Sequence, residues 1–159
     1  MKARKITIAD ACEITGYTRN QVRALLRDLP TFVGQEGTST SVRTFTRNEL
    51  LMICVIAAME ARFGIRRSAI GCLIQKLANA LQVPRAVGTN ARLDILFEPP
   101  SVTYSIVGGS VAEGVLIPLA PILERIEQYL SGYSDLEVQG ELSLGPVLWH
   151  DIRGRELKA

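Results

Sequence analysis

The sequence predicts a mainly α protein with a small β component, and three observations carry that expectation. Apolar residues recur at helical spacing up to about position 81. Between positions 92 and 117 they fall instead into short β-prone stretches bounded by Pro and Gly. One more amphipathic helical segment follows, from about 118 to 130. With 159 residues, 47% of them hydrophobic, the chain can bury a core and is too apolar to be a disordered tail.

The first helix is expected over 8–14, stopped by Gly16, the residue type that tolerates a left-handed helix end. A second begins almost at once. Thr18 is a good N-cap, Val22, Leu25, Leu26 and Leu29 keep helical spacing, and Pro30 ends the run. Two short helices around a turn of about three residues make a helix-turn-helix. On the second helix Arg19, Arg23 and Arg27 are four residues apart and stack into one stripe, which the apolar face opposite directs toward solvent or a ligand. Asn20 and Gln21 stand beside Arg19, and such amide and guanidinium groups match the edges of adenine and guanine. The only acid here, Asp28, lies at the far end of the helix.

Residues 31–45 hold two β-prone stretches around a polar tip rich in Gly, Ser and Thr, the pattern of a hairpin or wing. Thr46-Arg47-Asn48-Glu49 then has the T-x-x-E pattern of a capping box and starts a helix. That helix is apolar nearly all round over 50–59, which marks it as the central buried one, and it ends near Phe63-Gly64. The apolar run is about half the length needed to cross a bilayer. The next helix runs from Arg66 or Ser68 to Leu81, with Ile70, Leu73, Ile74, Leu77 and Leu81 facing inward.

A joint with Pro and Gly over 82–90 leads to strands expected at 92–97, 102–107 and 111–117. Turn signals stand at Pro99-Pro100 and Gly108-Gly109, the second as a hairpin turn. In the middle strand Val102, Tyr104 and Ile106 alternate against Thr103 and Ser105. Pro118 suits the first turn of the last helix, whose apolar face is Leu119, Ile122, Leu123, Ile126, Tyr129 and Leu130. Three short strands and one helix bury little alone, so this part is expected to pack on the first, on a second copy of the chain, or on both.

The order helix, turn, helix, wing, helix, helix resembles the N-terminal DNA-binding domain of the MerR family of transcriptional regulators. The matching residues are Ile6-Thr7-Ile8-Ala9-Asp10-Ala11, Ile14-Thr15-Gly16-Tyr17-Thr18, Val22-Arg23, the stretch from Arg43 to Leu50, and Phe63-Gly64-Ile65-Arg66, over about half the chain. The resemblance implies a winged helix-turn-helix DNA-binding domain over 1–81; the residues that follow read by themselves as a linker at 82–90 and a small α+β element over 91–159 for dimerisation or an effector. The resemblance also implies that Thr18 to Arg23 lie in or beside the major groove and that Arg43 meets the phosphate backbone. Where relatives carry aromatic residues after the arginine aligned with Arg23, this chain has Ala24 and Leu25, and its wing tip carries no basic residue. Beyond residue 85 it has neither the family's long coiled-coil helix nor paired cysteines.

Charge supports a division of labour. Residues 1–85 hold thirteen Lys and Arg against six Asp and Glu, a net +7, whereas the rest carry five against ten, a net −5. Such asymmetry fits a nucleic-acid-binding module joined to a part with another job. The three cysteines, Cys12, Cys54 and Cys72, are far apart and form no CxxC spacing, so they are expected to be buried free thiols in a reducing, cytoplasmic compartment rather than disulfides or metal ligands. The basic N-terminus is not followed by an apolar run of signal-peptide length.

The function expected from these residues is sequence-specific binding of double-stranded DNA by a homodimeric transcriptional regulator of a bacterium, phage or mobile element. Arg19, Asn20, Gln21 and Arg23 would read or straddle base edges, with Thr18 beside them; Arg27, Arg43, Thr44 and Arg47 would hold phosphates. Two alternatives stay open: an excisionase-like or packaging factor that shapes DNA for a larger protein partner, and a protein-interaction module without DNA binding. No catalytic residue is expected, because Trp149-His150-Asp151 stands without a nucleophile motif, and no cofactor, metal or membrane association is expected either.

Overall fold

A computed structural model describes residues 5–29, 43–82, 88–106 and 113–134. Residues 31–42 of the expected wing, with its first arm and tip, most of the joint at 82–90, Gly108-Gly109 and Trp149-His150-Asp151 lie outside the described residues. The elements run β1 (Ile6–Thr7), α1 (Ile8–Thr15), α2 (Arg19–Asp28), β2 (Thr44–Phe45), α3 (Arg47–Phe63), α4 (Arg67–Gln82), β3 (Arg92–Phe97), β4 (Pro100–Ser105), β5 (Val115–Pro118) and α5 (Ala120–Ser134). The protein is mainly α with a small β component, as the apolar periodicity predicts.

Local chemistry sets the helix ends. Gly16 closes α1 in the left-handed region, at φ 76°, with its N–H donating to the Cys12 carbonyl at 2.8 Å. Gly64 closes α3 in the same way at φ 62°. Both expected N-caps are present. Thr18 opens α2, and Thr46 opens α3, where its N–H donates to Glu49 Oε2 at 2.6 Å and the Glu49 N–H donates back to its hydroxyl at 3.2 Å.

α3 is the axle of the molecule. From Leu50 to Ala57 every side chain is buried, and the helix touches α1, α4, α5, β2 and β5. One hydrophobic cluster runs from Ile6 in β1 to Ile126 in α5 and includes Val22, Leu25, Leu50, Leu73 and Leu93. The strand-rich part therefore packs on the helical part, the first of the expected packing partners. The whole expected apolar face of α5 is buried or half-buried there.

One pairing adds to the sequence reading and one differs from it. β2, expected as an arm of the wing, pairs antiparallel with β1, setting Ile6 against Phe45 and Thr7 against Thr44, while the other expected arm lies outside the described residues. The second sheet has the order β4-β3-β5 with both pairs antiparallel, so among the described residues the run 115–118, expected to form a hairpin with β4, lies on the opposite edge of β3. The physical reason lies in β3, whose Leu93 and Ile95 are wholly buried and make it the central strand. Gly114, at φ 129°, lets the chain reach β3: a Cβ there would stand 2.3 Å from the Ile95 carbonyl oxygen.

Smaller corrections have equally local causes. Pro118 ends β5 opposite Arg92 instead of opening α5, and Pro121 takes the first helical turn, where a missing N–H costs nothing. Ile106 follows β4 and is exposed rather than continuing its inward alternation. Of the cysteines expected to be buried, Cys54 is buried and Cys12 half-buried, but Cys72 is exposed because it lies opposite the Ile70, Leu73, Ile74 and Leu77 stripe of α4.

Candidate nucleic-acid interface

α2 is sharply two-sided. Val22, Leu25 and Leu26 are buried, while Arg19, Asn20, Gln21, Arg23, Arg27 and Asp28 are exposed. The stripe of Arg19, Arg23 and Arg27 thus faces outward from a helix whose other side is fixed in the core. Neither Arg19 nor Arg23 is in an ion pair among the described residues. Arg27 is partly neutralised: its Nε donates to Asp28 Oδ1 at 3.2 Å.

Thr18 and Gln21 are already engaged with each other. The Thr18 N–H donates to Gln21 Oε1 at 2.8 Å, and the Gln21 N–H donates to Thr18 Oγ1 at 3.3 Å. This capping box satisfies amides at the start of α2, so the Gln21 carbonyl serves the helix end. Arg19, Asn20 and Arg23 have no such local use.

The remaining expected site residues lie on other elements. Arg43 precedes β2, with its guanidinium 5.6 Å from the centre of the Phe45 ring, and Phe45 is itself anchored in the core. Thr44 sits in β2 opposite Thr7. Arg47, the first residue of α3, is ion-paired through Nη2 with Glu127 Oε1 of α5. Arg19, Asn20, Arg23 and Arg27 therefore share one helix face, Arg43 and Thr44 adjoin at the start of β2, and Arg47 is held by the C-terminal half.

A polar network sets the position of α2. The Tyr17 hydroxyl, in the turn between α1 and α2, donates to Glu60 Oε2 near the end of α3. The same carboxylate accepts from Arg67 Nε at 2.8 Å and Nη2 at 2.9 Å, a two-pronged pair with the start of α4. Arg67 Nη1 reaches Asp28 Oδ2 at the end of α2, 3.5 Å away. Burial, reinforced by the Glu60 hydrogen bond, pushes the Tyr17 phenol well above its usual range. Burial would also raise the Glu60 pKa, but hydrogen bonds from Arg67 and Tyr17 outweigh it and leave the carboxyl below its ordinary value. The hydrogen bond to Glu60 in turn raises Arg67.

These partners are not legible from spacing, since Tyr17 and Glu60 are 43 residues apart. The available signal is Glu60 itself, the lone acid between Glu49 and Asp94. No family model, curated protein or solved structure matches the chain. Among the described residues no group of His, Cys, Asp and Glu could hold a metal ion, and no helix is long and apolar enough to cross a membrane.

Proposed function

We propose that this chain is a sequence-specific double-stranded DNA-binding transcriptional regulator that acts as a homodimer. One observation carries the reading: Arg19, Asn20 and Arg23 are exposed together on the N-terminal half of α2, directly after a three-residue turn from α1, while the opposite side of α2 is buried. A second helix of this kind enters the major groove with its first residues against base edges. In the proposal Arg19 and Arg23 read guanine edges, Asn20 reads adenine, and Thr18 with Gln21 holds the helix end that presents them. Arg27, Arg43 and Thr44 contact phosphates, and Arg47 joins them once released from Glu127. The excess of basic residues in the first half supports the same partner.

The experiment is selection of bound duplexes from a random library, followed by a salt titration of the winner. The expected product is a two-fold symmetric sequence whose half-sites lie about 34 Å apart or a multiple of that, bound by two copies. Its affinity should fall with salt, with a slope of about −0.9 for each phosphate neutralised. Retention of no duplex at about 50 mM salt would refute the proposal and favour a protein-interaction module.

A further inference from the structure

α5 belongs to the acidic half of the chain, and it meets the basic half through charge. Glu127 on α5 pairs with Arg47, a residue 80 positions earlier in the sequence. Arg47 is separated from Arg43 only by the two residues of β2 and the cap Thr46. This is the stretch to which the DNA-binding reading gives phosphate contacts. Arg47 also opens α3, the end of a helix where free amides and the helix dipole favour an anion. Glu127 brings a carboxylate to that end.

The pair is placed so that it can be exchanged. Its side chains are 53% and 54% exposed, and exposed ion pairs are weak and screened by salt. A phosphate offers Arg47 the same kind of oxygen acceptor with more charge.

We infer that Glu127 is an internal competitor for DNA phosphate at Arg47. In the free protein its carboxylate holds the guanidinium, and a duplex must displace it before Arg47 adds to binding. This rests on the DNA-binding reading and gives it a form of regulation: through α5 the C-terminal half lowers affinity for every sequence alike and leaves base reading by α2 untouched. Any event that lifts α5 from the start of α3 raises affinity without changing preference.

The test uses the full chain and the duplex that the wild type selects, titrated at several salt concentrations. Glu127→Gln keeps the size of the side chain and removes its charge. Glu124→Gln, one turn earlier on α5, removes the same charge from an exposed residue that makes no ion pair among the described residues. Glu127→Gln is expected to bind about two- to five-fold tighter at low salt, the range that an exposed pair commands. Its salt dependence should steepen by about 0.9 in slope, one phosphate more. Glu124→Gln should give a smaller gain with no change of slope, and in an Arg47→Ala background Glu127→Gln should gain no more than Glu124→Gln does. Equal gains from both glutamates, no gain from Glu127→Gln, or a gain that survives Arg47→Ala overturns the inference while the DNA-binding reading stands. If neither the wild type nor any variant binds a duplex at low salt, the DNA-binding reading falls and takes the inference with it.

Discussion

The hydroxyl of Tyr129 on α5 donates to Oδ1 of Asp10 on α1 at 2.9 Å, joining residues 119 apart in sequence. Asp10 is the one buried charged residue among those described, and its other oxygen accepts from the N–H and hydroxyl of Thr7 at 2.6 and 2.8 Å. The Asp10 carboxylate thus starts α1 and, together with Glu13 Oε2 at 3.1 Å from the same hydroxyl, anchors α5 to it.

Tyr129→Phe removes the link and keeps the ring. Hydrogen bonds to charged groups contribute about 1.5–3 kcal/mol, and Asp10 keeps its Thr7 donors, so a loss of about 1.5 kcal/mol is expected. Urea unfolding should show a lower midpoint with an unchanged slope. A midpoint equal to wild type would mean that the hydroxyl contributes nothing to the docking of α5.

Glu60 predicts how stability responds to acid. Its folded pKa lies below the ordinary carboxyl value through Arg67 and Tyr17, despite burial. A depressed carboxyl contributes stability that is fully present above the unfolded pKa of about 4.3 and is lost as pH falls through the lower folded value. Urea midpoints measured from pH 7 to pH 3 should therefore drop more steeply for wild type than for Glu60→Gln. The variant should be the less stable protein at pH 7, where Arg67 has lost its two-pronged partner, and the two curves should draw together toward pH 3. Parallel curves would show that Glu60 makes no pH-dependent contribution.

What could be read from the sequence, and what could not, divides by range. Gly16, Thr18, the Thr46 to Glu49 box and Gly64 each act on backbone groups within four residues, so the helix ends are legible from spacing alone. The outward stripe on α2 is legible too, because periodicity fixes which side is buried. Strand pairing is a choice between distant partners. The run from 115 to 118 carries no mark that sends it to β3 instead of β4, and the Ile6–Thr7 pair is too short to stand out as a strand. The same holds for the candidate site, where the sequence suggests Arg47 as a phosphate contact but says nothing of a glutamate 80 residues later.

Two glycines should respond to alanine in opposite directions. At Gly114 a Cβ would meet the Ile95 carbonyl oxygen at 2.3 Å, and the φ of 129° is one that L side chains rarely adopt. Gly114→Ala should cost at least about 2 kcal/mol and loosen β5 from β3. Gly71, inside α4, has nothing within 4 Å of its Cβ position, so Gly71→Ala should stabilise by about 0.5–1 kcal/mol. Thermal melts of the two variants decide the matter; a neutral Gly114→Ala would contradict the pairing of β5 with β3.

The thiols should label in a fixed order. Burial pushes Cys54 up to about 12 and also raises Cys12, where Arg19 opposes the shift, whereas Cys72 is exposed on α4. Thiolate is the reactive form, so alkylation at neutral pH should reach Cys72 first, Cys12 more slowly and Cys54 only on unfolding. Peptide mapping over time reads the order directly. Early loss of Cys54 would show that α3 is less enclosed than its burial indicates.

The division between reading and holding DNA is tested by two arginines. Arg23 stands on the exposed face of α2 without an ion pair among the described residues, whereas Arg43 lies over Phe45 on another element. If Arg23 meets a base edge, Arg23→Ala should cost about 1–3 kcal/mol of affinity for the selected duplex and relax preference at one position of each half-site. If Arg43 meets a phosphate, Arg43→Ala should weaken binding to all duplexes alike and reduce the salt slope by about 1. The aromatic contact of Arg43 contributes to folding as well, so the melting temperature of each variant is measured beside its affinity. Equal losses with unchanged preference in both variants would show that neither arginine reads sequence, and base recognition would then have to come from Arg19 and Asn20 alone.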